Sequence, residues 1–225
     1  MTQLIVAAIA FAATHIVLSA SPIRPAIVGA IGTNPFRGLY SLVAFATLGY
    51  LIYAYVNVGH ADFVWLPGPV GQLTAKVLML PALVLLAMGA TARNPTSMMY
   101  VSAINDDLPG IVKITRHPVQ WAIMLWAVAH IAANGDVASL AFFGGLLVIS
   151  AVGTVSMDAR NRARADEAWV SFHARTSNVP FAALLGGRTR LSLGDVGWPG
   201  AIAGIVIYGV VFWFHDWIAG VPLIF

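Results

Sequence analysis

Apolar residues gather along the chain into six long runs, separated by short joints rich in polar residues, proline and glycine. This alternation predicts an all-α fold. The runs cover roughly 4–20, 39–58, 70–92, 119–133, 137–157 and 198–218. A helix needs about 20 mainly apolar residues to cross a bilayer, so the pattern predicts a polytopic membrane protein with about six transmembrane helices. The joints carry helix breakers: Ser21-Pro22 with Pro25, Pro67-Gly68-Pro69, Asn94-Pro95 and Gly186-Gly187. The fourth run is short, and Pro118 suits the first turn of its helix. Only Asn134-Gly135-Asp136 joins it to the fifth, which predicts a tight helical hairpin. With no periodic repeat and no inverted pair of halves, residues 1–225 read as a single domain.

Composition agrees with that pattern. Of 225 residues, 59% are hydrophobic and only 9% charged, against about a quarter charged in a soluble domain. The partner this implies is the lipid bilayer. A net charge of +3 is too small to suggest nucleic acid. The chain has no cysteine, which excludes disulfides, zinc knuckles, iron–sulfur clusters and thiol chemistry. No basic segment precedes the first run, so it is expected to be a retained span and not a cleaved signal.

The placement of charge predicts orientation. Arg24 and Arg37 follow the first run; Arg93, Lys113 and Arg116 follow the third; Arg160, Arg162, Arg164, Arg175, Arg188 and Arg190 follow the fifth. Only Lys76 lies elsewhere. The positive-inside rule puts these three loops in the cytoplasm and both termini outside. The longest, 158–197, sets Ala168, Val170 and Phe172 among arginines and reads as an amphipathic cytoplasmic loop along the inner membrane surface.

Within the runs, Ser41, Phe45, Gly49, Tyr53 and Asn57 recur every four residues, a stripe suited to helix packing or a ligand wall. Ala8, Ala12, His15 and Ser19 form a second, where small residues let a helix or a flat cofactor come close. Of six histidines, His60, His130 and His215 fall near the outer interface, and His117 and His173 near the inner one. Interfacial imidazoles are ordinarily solvated or bonded to headgroups. His15 lies within an apolar run, where an ionisable group marks a functional site by default. His117 and His130 are 13 positions apart, about 20 Å along a helix, so they cannot share one metal ion. His130 has Trp126 and Asn134 one turn to either side, and the aromatic could line a porphyrin-sized slot. His117, between Arg116 and Gln120, suits an anion or headgroup.

The segments "HIVLSASPIRP", "NPFRGLYSLVAFATLGYLIYAY", "GIVKITRHPVQWAIMLWAVAHIAANGD" and "RTSNVPFAALLGGRTRL" strongly resemble the NnrU family of bacterial membrane proteins. That family is related to the zeta-carotene isomerases of plants and cyanobacteria. The resemblance implies a bacterial inner membrane location with periplasmic termini, and an association with denitrification, that is, nitrite and nitric oxide metabolism. It also implies haem b held by two axial histidines, which fall on His15 and His130, with Trp126 and Asn134 beside them. Arg37 and Arg116 become candidate partners for haem propionates or lipid phosphates. The isomerases carry a cysteine three positions before the second histidine, where this chain has Ala127. Thiolate ligation is therefore impossible here. The two histidines also differ in depth by roughly 10 Å when counted along their helices.

A fainter echo is to isoprenylcysteine-type methyltransferases, carried by Arg116-His117-Pro118 and by Asp166, Glu167, Trp169, Phe172, Arg175 and Pro180. It would make the cytoplasmic face a methyl-donor pocket, although that family's paired tyrosines are missing and His173 stands near where one is expected. The leading expectation is a haem b protein with redox or isomerase chemistry on a lipophilic substrate, or an auxiliary part in denitrification. A membrane methyltransferase and a non-enzymatic accessory protein are the alternatives. Transport is disfavoured because no carboxylate lies at mid-membrane.

Overall fold

The computed structural model describes residues 1–20, 23–96, 108–163 and 167–220. Ser21, Pro22, Arg164 and Asp166, which the sequence singles out, lie outside the described residues. The helices are α1 (Thr2–Ala20), α2 (Ile23–Ile31), α3 (Thr33–Val56), α4 (Pro69–Thr91), α5 (Gly110–Ile114), α6 (Pro118–Asn134), α7 (Val137–Ala163), α8 (Glu167–Arg175), α9 (Ala182–Leu185), α10 (Trp198–Trp213) and α11 (His215–Ala219). Among the described residues there is no strand, only an isolated bridge between Phe63 and Asp136.

Among the described residues, four helices are long and apolar enough to cross a membrane, in segments Thr2–Ser19, Thr33–Val56, Pro69–Thr91 and Val137–Ala163. The fourth and sixth runs give shorter helices. Pro118 and the left-handed Gly135 confine α6 to 17 residues. The run at 198–218 divides at Phe214, leaving α10 with 16. The joint after the first run, expected as a loop, is helical: Arg24 lies in α2 and Arg37 in the first turns of α3. The 158–197 segment likewise splits into the end of α7, then α8, α9 and a 3-10 turn at Leu193–Asp195.

α7 is the central pillar, with α1, α3 and α6 packed against it and α4 lying between α6 and α10. Lipid tails are as apolar as leucine, so close backbone approach, rather than hydrophobicity, must hold such helices together. Gly71 and Gly89 of α4 supply it. They are 18 positions apart, close to five full turns, and so share one face. A methyl group at Gly71 would collide with the Ala132 carbonyl oxygen of α6, and one at Gly89 would lie 2.9 Å from Pro118 Cγ. On α4's other side, Gly200 and Gly204 of α10 rest on Met88 and Val84. The stripe from Ser41 to Asn57 does not pack inside the protein: Phe45 and Tyr53 are exposed, while Leu51 and Ala54 make the buried face of α3.

Candidate functional site

Leu4, Ala7 and Phe11 of α1, Leu51 and Ala54 of α3, Ala127 of α6, and Ala138, Phe142 and Phe143 of α7 form one apolar core, with Trp126 packed against it. His15 and His130 stand at its margin, both half-buried. His15 Nδ1 donates to the Phe11 carbonyl at 3.0 Å, and His130 Nδ1 donates to the Trp126 carbonyl at 2.8 Å. A carbonyl oxygen only accepts, so each contact fixes the proton on Nδ1 and leaves the lone pair on Nε2. This is the arrangement of a metal-ligating histidine whose second nitrogen is tied to backbone. Neither Nε2 has a hydrogen-bond partner among the described residues.

The rings are held sideways as well. His130 stacks on Phe143 with centroids 4.7 Å apart and lies 4.9 Å from the Trp126 ring. His15 lies 4.1 Å from the Phe11 ring and 5.7 Å from that of Tyr40. α1 runs parallel to α7, since Arg160 Nη1 near the end of α7 donates to the Ser19 carbonyl at 2.7 Å. α6 runs antiparallel to α7 across the hairpin. The His15 ring touches Tyr40 of α3, whereas His130 stacks on Phe143, which touches Tyr55 of that same helix, so the two rings stand about 20 Å apart along the bundle and the structure does not bring them together. Among the described residues no three His, Asp or Glu gather around a bare metal ion. Haem iron, with four porphyrin nitrogens, takes one or two protein ligands; each open Nε2 is a donor of that type, but His15 and His130 are too far apart to serve one iron.

The other sequence candidates fall in varied places. Trp126 supplies the carbonyl and ring beside His130. Asn134 donates instead to Ser139 Oγ at 3.1 Å, and Arg37 is exposed on α3. His60 has no free nitrogen: Nδ1 pairs with Asp136 at 2.9 Å and Nε2 with the Tyr55 carbonyl at 3.3 Å. Asp136 also accepts from the Ser139 backbone N–H at 2.9 Å, capping α7. Burial pushes the Asp136 carboxyl up, but hydrogen bonds from Ser139 and His60 outweigh it and hold the group below its ordinary value.

A model of the NnrU protein family matches residues 3–223. The chain belongs to the NnrU family. It is also similar to the chloroplastic 15-cis-zeta-carotene isomerases of Zea mays, at 37% identity over 82 residues, and of Arabidopsis thaliana, at 35% over 82 residues. Those stretches cover 36% of this chain and 22% of each relative, so the chain spans about a fifth of the length of the curated relatives it matches. No solved structure matches it.

At the basic end of this NnrU protein, a second polar group is far more buried than an interfacial position suggested. His117 is fully buried, and Arg116 and Asp158 nearly so. His117 Nε2 meets Asp158 Oδ1 at 2.8 Å, and Arg116 Nε lies 3.4 Å from Asp158 Oδ2. Asn94 Nδ2 and the Thr96 hydroxyl both donate to the Arg116 carbonyl. The Arg116 N–H donates to the Ser177 carbonyl at 2.9 Å. Burial lowers the Arg116 pKa, Asp158 opposes this, and Arg188 and Arg162 lower it further. Of the residues carrying the methyltransferase echo, Trp169 and Phe172 are buried core. The sequence signal that was missed is Asp158, the carboxylate just past the fifth run, 41 positions from His117 and placed beside it by the α6–α7 hairpin.

Proposed function

We propose that this NnrU protein is a membrane-embedded haem b protein with isomerase-like chemistry on a lipophilic substrate, in which His130 would serve as an axial ligand. The observation that carries this reading is the contact of His130 Nδ1 with the Trp126 carbonyl, which leaves its Nε2 lone pair open beside Phe143 and Trp126. Family membership and the similarity to 15-cis-zeta-carotene isomerases support the isomerase-like part. The six-span map, with both termini periplasmic in a bacterial inner membrane, rests on the placement of arginine and lysine.

The chain's own residues would set the environment. Phe143 and Trp126 hold the His130 ring in plane. Phe11, Ala127, Phe142 and Phe143 offer no polar side chain, so the margin of the site takes apolar matter and keeps water out. When bound, haem iron would supply reversible one-electron chemistry to a conjugated substrate. With Ala127 where the isomerases have cysteine, imidazole is the ligand type the protein offers.

The test is a haem b titration of the purified full chain, followed by its Soret band. Wild type should give a saturable, sharp Soret. His130→Ala should abolish or shift it, weakening binding about tenfold or more, as loss of one axial bond implies, whereas His15→Ala, remote from that ring, should leave it in place. His60→Ala, with both nitrogens already engaged, should leave the band in place. A protein that stays colourless with haem, or an unchanged spectrum in His130→Ala, would overturn the assignment.

A further inference from the structure

Arg116 presents five N–H donors and no acceptor, yet it sits in the interior. Arg116 Nε and Nη1 and His117 Nδ1 are buried with no hydrogen-bond partner. Asp158 has already committed one oxygen to His117, and its other oxygen is too far from Arg116 Nε for a good hydrogen bond. The Trp169 indole N–H, in the adjoining core, is buried and unpaired as well. Buried polar atoms are almost always paired, so such a group of orphans calls for an explanation.

Charge points the same way. Arg162 and Arg188 act electrostatically on Arg116, and all three act on His173. Three guanidinium groups thus act on this region, and only Arg116 of the three pairs with the carboxylate of Asp158. Water would supply an acceptor but no charge. A carboxylate would bring two oxygens. A phosphate brings three or more acceptor oxygens and a charge spread over all of them, which suits several arginines at once.

We propose that the Arg116–His117–Asp158 cluster is a second site, distinct from that of His130, that binds a phosphate group. It lies about 20 Å along α6 from His130, so the two sites do not share a ligand atom. The phosphate comes either from a lipid headgroup, since the cluster is at the basic end of the bundle, or from free phosphate in solution.

Calorimetry on the full chain in phosphate-free detergent distinguishes the sources. The probes are phosphatidic acid, diacylglycerol as its phosphate-free counterpart, and inorganic phosphate. Wild type should bind phosphatidic acid or inorganic phosphate saturably and ignore diacylglycerol. Tighter binding of the lipid marks a headgroup site, and equal binding marks a free-phosphate site. Arg116→Gln should weaken binding about tenfold or more, the loss of a charge-assisted bond. Arg162→Gln changes an exposed residue, should leave folding intact, and should weaken binding about threefold through charge alone. No saturable binding of either phosphate probe by wild type overturns the proposal. So does unchanged affinity in Arg162→Gln, or in folded Arg116→Gln. Binding of S-adenosylmethionine instead of either probe, lost on Arg116→Gln, also overturns it and favours a methyl-donor pocket.

Discussion

His60 spends both ring nitrogens on Asp136 and Tyr55, whereas His15 and His130 each spend one, and this difference separates histidines that composition and depth could not. The sequence marked His15 by its apolar surroundings and His130 by its neighbours, but tautomers depend on side-chain rotamers that no spacing encodes. Asp158 was equally hidden. It reads as an edge carboxylate until the hairpin folds it onto His117. Asp158→Asn should therefore cost about 3 kcal/mol, because it leaves Arg116 buried without its counter-charge. Denaturation of the detergent-solubilised chain checks this, and an unchanged midpoint would mean that the pair is not held in the interior. Asp136 predicts a pH effect of definite sign. Its folded value is depressed, so the stability it contributes is complete above the unfolded value near 4 and is lost as pH falls through the folded one. The melting temperature of Asp136→Asn should lie below that of wild type at pH 6 and fall less steeply below about pH 4.

The order of helices was legible at the level of elements, because apolar runs and breakers alternate. Their ends were less so. The first turns of α3 are made of Thr33 to Gly38, polar and proline-containing residues that read as loop until the chain is seen to start its helix at Thr33, after Gly32. The packing faces were legible only in part. Four-residue spacing drew attention to the exposed Phe45 stripe, while the contacts that join helices use single glycines too sparse to form a pattern. Gly135 sits at φ +72, and a side chain there would also strike the Trp65 carbonyl. Gly135→Ala should destabilise the hairpin by about 2 kcal/mol or more, adding steric collision to left-handed strain. Gly71→Val should prise α4 from α6. Disulfide trapping between cysteines introduced at neighbouring positions of those helices would then fall, and unaltered trapping would show that α4 does not depend on the contact.

The charge map governs the whole molecule. Every lysine and arginine except Lys76 belongs to one side of the predicted topology, so a reporter active only in the cytoplasm should work near Gly187 and be silent after Phe225. The reverse result would invert the map and the face on which the Arg116 cluster lies. Helix length adds a consequence of another kind. α6 and α10, with 17 and 16 residues, both flank α4, whereas α3 and α7 on the other side have 24 and 27. At 1.5 Å per residue the short helices reach about 25 Å, less than the roughly 30 Å hydrocarbon layer. Were α6 and α10 to cross the bilayer beside the longer helices, the layer would have to thin around them and not around α3, a mismatch that would steer this protein toward thin or curved membrane.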